Sequence, residues 1–117
     1  MEYNINDKEN ELLNSLVLEL RRGTIILSVL SQLNEPQYGY SLITLLEEKN
    51  ISIDAGTLYP LLRRLEKQNL LVSNWDVNST KPRKYYELSD FGRTIYKQLS
   101  EQWLEMSKTM DELLKER

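Results

Sequence analysis

Between Thr57 and Tyr86 six basic side chains, Arg63, Arg64, Lys67, Lys81, Arg83 and Lys84, stand against only Glu66 and Asp76. That segment carries +4 in a chain whose total is −3, so the other residues carry −7. Cations at such density suit phosphates, and an arginine can in addition donate two bonds to guanine O6 and N7. Arg63 is therefore a candidate base reader, while Arg64 and Lys67 serve as charges that position a helix on a phosphate backbone. A charged helix face standing alone is usually just solvated. Here a second cluster, Lys81, Arg83 and Lys84, follows at a predicted loop tip with no evident packing use, placed to reach an adjacent minor groove or its phosphates.

Other chemistries have little to work with. The chain has no histidine, which removes the usual general base at neutral pH, the triad imidazole and the commonest zinc ligand. It has no cysteine, hence no disulfide and no thiolate metal site. No nucleotide-binding loop and no motif-placed carboxylate pair occurs, so no catalytic residue, metal or cofactor is expected and an enzyme is the weakest reading. The most apolar run, Ile25 to Leu33, is interrupted by Ser28, Ser31 and Gln32 and falls far short of the ~20 residues of a membrane helix. With no secretory leader to read, a cytoplasmic location is expected.

The basic residues need a scaffold, and the spacing of apolar residues supplies one. Leu58, Leu61, Leu62 and Leu65 fall at i, i+3, i+4 and i+7, the buried face of a helix whose opposite face carries Gly56, Tyr59, Pro60, Arg63 and Lys67. Either Asp54 or Thr57 can cap it. With Thr57, Pro60 lies in the first turn; with Asp54 it removes a backbone bond and bends the helix. Leu70 to Trp75 and Lys84 to Leu88 read as two strands joined by a polar loop, with Trp75 expected to pack at the hairpin base.

Upstream, Asn6-Asp7-Lys8-Glu9 has capping-box spacing ahead of Leu12, Leu13, Leu16, Val17 and Leu20, which predicts a first helix. Thr24 is a possible N-cap for Ile25, Ile26, Val29, Leu30 and Leu33, as a second helix or as the continuation of a bent first one. Asn34-Glu35-Pro36 reads as a stop and a start for a short helix through Leu42, Ile43, Leu45 and Leu46. Gly39 at its start is either a plain loop glycine or a site of close backbone approach. Ser89-Asp90 caps a final helix striped by Phe91, Ile95, Leu99, Trp103, Met106, Met110 and Leu113.

At 117 residues this is one domain. The fold class expected is mainly α with a small β-hairpin wing: an N-terminal helix (1–22), a winged helix-turn-helix (23–88) and a long C-terminal dimerisation helix (89–117). The last stripe spans some six turns, more than one side of so small a globule can cover, so its far half calls for a second copy. The dimer residues expected are Leu13, Leu16 and Leu20 from the first helix with Ile95, Leu99, Trp103, Met106, Met110 and Leu113. Such a homodimer sets two recognition helices about 34 Å apart, the spacing of a palindromic operator in double-stranded DNA. Trp103 either fills the interface core or, with Leu99 and Met106, lines a slot for a small planar aromatic effector.

Four strings carry a family resemblance: Leu20-Arg21-Arg22-Gly23-Thr24, Tyr38-Gly39-Tyr40-Ser41-Leu42, Gly56 through Glu66, and Arg83-Lys84-Tyr85-Tyr86-Glu87-Leu88-Ser89-Asp90-Phe91-Gly92. In this order they resemble the PadR family of bacterial transcriptional regulators across nearly the whole chain, and the single C-terminal helix resembles its small subgroup. The resemblance implies homodimeric winged-helix repressors, often of phenolic-acid detoxification or multidrug-transport genes, released from DNA by a small aromatic effector. It puts Thr57, Tyr59 and Arg63 on DNA from the recognition helix, Tyr38 near phosphate, and Lys81, Arg83 and Lys84 in the wing. It also implies a pore-lining role for Trp103. The wing tip departs from the family pattern: Asn78-Ser79-Thr80-Lys81-Pro82 stands where a Gly-rich tip is common, and Pro82 stiffens it. The alternative is a winged-helix module that binds protein rather than specific DNA, motivated by the acidic total charge.

Overall fold

The computed structural model describes residues 2–78 and 80–115, with side chains from Asn6 onward. Seven elements follow in order: α1 (Glu2–Arg22), α2 (Ile25–Ser31), α3 (Gly39–Glu48), α4 (Ala55–Lys67), β1 (Leu71–Asp76), β2 (Arg83–Leu88) and α5 (Asp90–Lys115). This is the winged helix-turn-helix with two additional helices. α1 starts at Glu2 rather than after Asn6, because no Gly or Pro stands upstream to stop it. Its end settles the open choice: α1 and α2 are separate helices. The Thr24 amide and hydroxyl both return to the Arg21 carbonyl, at 2.9 Å each. Thr24 thus bounds α2 without capping it through its side chain.

The core is a single leucine-rich cluster. Val29 and Leu30 from α2, Leu33 just after it, Leu42 and Leu46 from α3, and Leu58, Leu61, Leu62 and Leu65 from α4 meet Leu71, Tyr86 and Leu88 of the hairpin. All four leucines read from the recognition-helix spacing are buried.

Pro36 does not open α3. Gln37 instead pairs with Tyr86 as an extra extended rung on β2, its amide and carbonyl bonded at 2.9 and 2.8 Å, and the helix waits until Gly39. Tyr38, extended, is its N-cap, and its amide donates to Ser41 Oγ at 3.1 Å. Two asparagines close the helices of the motif. Asn50 after α3 and Asn69 after α4 both take φ 65°, the left-handed cap conformation that asparagine tolerates better than other side chains. Asn69 turns α4 directly into β1, with the Leu70 amide bonded back to the Leu65 carbonyl at 3.0 Å.

The hairpin runs from Leu71 opposite Leu88 to Asp76 opposite Arg83. Leu71, Ser73, Tyr86 and Leu88 face the core side, so Val72, Asn74, Tyr85 and Glu87 lie on the outer face. Trp75 does not pack at the base as expected. It is 62% exposed, because it stands opposite Lys84 at the outer end of the hairpin, beyond the reach of the leucine core. Ser79 of the wing tip lies outside the described residues.

α5 is fixed at its start. Ser89 Oγ accepts the Gly92 amide at 2.8 Å, a true N-cap, and donates to the Asn69 carbonyl at 2.6 Å. Beyond that anchor α5 packs on α2 and then leaves the globule. The radius of gyration, 17.8 Å, exceeds the ~13 Å of a compact chain of this size, and the long axis reaches 58 Å.

Candidate nucleic-acid interface

Asp54 is the N-cap of α4, so Pro60 lies inside the helix and the Gly56 carbonyl has no i+4 donor. Thr57 Oγ1 donates to Asp54 Oδ1 at 2.8 Å, bracing the first turn. That bond, ahead of nearby backbone donors, holds the Asp54 carboxyl below its ordinary range. Gly56, Thr57, Tyr59, Arg63, Arg64 and Lys67 are all exposed, so the polar face read from the spacing is presented outward as one surface.

Tyr59 has a second contact. Its phenol ring lies over Gly39 at the start of α3, where a Cβ would collide with it, so the close approach was real. The glycine lets the two helices of the motif meet through that ring.

In the wing, Lys81 and Arg83 are exposed, and Lys84 is different. Its Nζ lies 3.1 Å from Glu66 Oε1, and 5.2 Å from the Tyr86 ring centroid. Ser73 donates to the other Glu66 oxygen. The Ser73 bond foremost, then Lys84, holds the Glu66 carboxyl below its usual range, and the Glu66 bond raises Lys84. Lys84 therefore does serve packing: it ties β2 to α4. On the outer face the Arg83 guanidinium carbon lies over the Tyr38 ring, 4.5 Å from its centroid, and that ring makes a T-shaped contact with Tyr85 at 5.4 Å. Glu66, Ser73 and Tyr85 escaped the sequence reading, since pairing across a hairpin register is not a local signal.

The fold is that of a winged helix-turn-helix, and the comparisons with known proteins agree with it. The family model described as the transcriptional regulator PadR-like family matches residues 26–98. This chain belongs to the PadR-like family. A PadR family transcriptional regulator from Eggerthella lenta DSM 2243 is 46% identical, with TM-score 0.89 over 94% of this chain and 98% of that one. A PadR-like transcriptional regulator from Bacillus cereus strain ATCC 14579 is 28% identical, with TM-score 0.74 over 85% of this chain and 99% of that one. A PadR family regulator from Clostridium difficile R20291 is 29% identical, with TM-score 0.72 over 78% and 98%. No curated protein matches the chain. Membership makes this PadR-like protein a DNA-binding transcription regulator rather than an enzyme.

The residues expected at a dimer interface are mostly uncovered in the single chain. Leu13, Leu16 and Leu20 on α1 and Leu99, Trp103, Met106, Met110 and Leu113 on α5 are exposed, and Ile95 is half-buried against the globule. Leu99, Trp103 and Met106 line a cleft of about 480 Å3 between α5 and the α1–α2 junction. Trp103 also borders a second cleft, about 460 Å3, on the side of Ser28 and Tyr96. No helix among the described residues is long and apolar enough to cross a membrane.

Proposed function

We propose that this PadR-like protein is a homodimeric repressor that binds a palindromic operator and is released from it by a small planar aromatic effector. The observation that carries the reading is the division of its surface. One end presents the α4 face and the wing, while among the described residues thirteen exposed large apolar side chains, five on α1 and eight on α5, lie on the helices that flank that part. Leaving such a stripe in water is unfavourable at ~25 cal/mol per Å2, and a second copy of the same chain is the partner that buries both stripes symmetrically.

In this reading residues 23–88 read DNA, and 1–22 with 89–117 form the interface. Arg63 reads a base. Gly56, Thr57 and Tyr59 approach the groove, and Arg64, Lys67, Lys81 and Arg83 meet phosphates. Lys84 helps through the wing it secures rather than by reaching out. The effector slots against Trp103, with Leu99 and Met106 around it; a cleft near 480 Å3 falls in the usual range for small ligands, and thioethers adapt to varied rings. The test is sedimentation with and without an operator duplex taken from the gene's upstream region. Two chains per duplex is the expected stoichiometry, and planar aromatics that quench Trp103 should lower the affinity.

A further inference from the structure

We infer that Tyr38 and Tyr85 are positioning residues that hold the Arg83 guanidinium flat for DNA, and that Tyr38 acts through Arg83 rather than by its own hydroxyl. The inference rests on the DNA-binding reading of the wing. An arginine at the end of an exposed hairpin ordinarily sweeps many rotamers, and each is lost when a phosphate fixes it. Here the guanidinium carbon stands 4.5 Å from the Tyr38 ring centroid. Tyr85 makes a T-shaped contact with the same ring, at 5.4 Å and 69°, so the ring has a second neighbour. The backbone beneath is fixed too, since Gln37 is hydrogen-bonded at both its amide and carbonyl to Tyr86.

A guanidinium over an aromatic ring keeps N–H groups at its rim for an acceptor. Among the described residues no carboxylate forms an ion pair with Arg83. Asp76, directly opposite Arg83 in the register, instead accepts the Asn78 amide at 3.0 Å. Arg83 is thus ordered before DNA arrives, and with Lys84 held by Glu66 it is an exposed cation of the wing.

The experiment is anisotropy of a fluorescein-labelled mixed-sequence duplex at several low salt concentrations, with the whole protein and with Tyr38→Leu, Tyr38→Phe, Arg83→Ala and the Tyr38→Leu/Arg83→Ala double variant. Tyr38→Leu is expected to weaken binding about threefold and to flatten the salt slope toward that of Arg83→Ala, a change of up to about 0.9. Phenylalanine restores both, because the ring and not the hydroxyl does the work, and in the Arg83→Ala background leucine costs nothing more. The inference is overturned if Tyr38→Phe is as weak as Tyr38→Leu, or if leucine costs the same with and without Arg83. Should Tyr38→Leu fail to fold, Arg83→Lys, which keeps the charge but not the planar fork, must lose the same affinity; full affinity in that variant sinks the idea. A wild-type protein that binds no duplex refutes the DNA reading itself, which is a separate failure.

Discussion

Glu66 of α4 and Lys84 of β2 meet at 3.1 Å, each side chain about one-third exposed, and Ser73 of β1 shares the same carboxylate. Helix α4 and both strands of the wing are therefore tied at one point, through one carboxylate. Glu66→Gln should lower stability by about 1 kcal/mol, the upper range for a pair so open to solvent. The sign with pH follows from Glu66. Its folded pKa lies below the ordinary 4.5, so its contribution is present above that value and is lost as pH falls through the folded pKa. Urea titrations of wild type and Glu66→Gln should differ at pH 7 and converge in acid. Lys84, raised above 10.5, loses its share only as pH rises past that.

Gly92 is required by packing. A Cβ there would drive into the Leu70 carbonyl oxygen, which accepts the Ser89 amide at the start of α5. Gly92→Ala should cost about 1–3 kcal/mol, as backbone overpacking does, whereas Gly23→Ala meets nothing within 4 Å and should be neutral or slightly stabilising. Thermal melts of the two variants make the comparison.

Asn69 holds φ 65° between α4 and β1, and its carbonyl accepts the Ser89 hydroxyl. Asn69→Gly should retain stability within about 0.5 kcal/mol, while Asn69→Val, β-branched in a left-handed conformation, should lose about 1–2 kcal/mol. Equal melting of the two would contradict the cap assignment.

The interface reading predicts that Leu16→Glu and Met110→Glu, both at exposed stripe positions, yield folded monomers by sedimentation with unchanged helical circular dichroism. Dimers that survive both changes would move the interface elsewhere.

Much of this was legible from spacing alone. The leucines of α4 announced a buried face because four positions at helical period leave little choice, and Ser89 announced the start of α5. The segment around Pro36 was not legible, since local chemistry allows a helix start there and only the distant Tyr86 converts it to an extended rung. Trp75 misled for a related reason: an aromatic in a strand usually packs, but the hairpin outruns the core. Lys84 resembled its basic neighbours in sequence, and its assignment to α4 depends on a register that places it over Glu66. The basic face of α4 needed no partner to be seen, and the structure leaves Arg63, Arg64 and Lys67 exposed.

The proposed repressor must bind its operator sequence-selectively through α4. The most direct test is fluorescence-detected binding of purified protein to duplexes from its own upstream region, with a shuffled duplex as control, at two salt concentrations and with Arg63→Ala alongside. Selective binding should weaken steeply with salt, by about 0.9 log units per log unit for each phosphate contacted, and Arg63→Ala should lose ~1–3 kcal/mol at one base position. Equal affinity for operator and shuffled DNA, or an Arg63→Ala variant that binds as well as wild type, would contradict it.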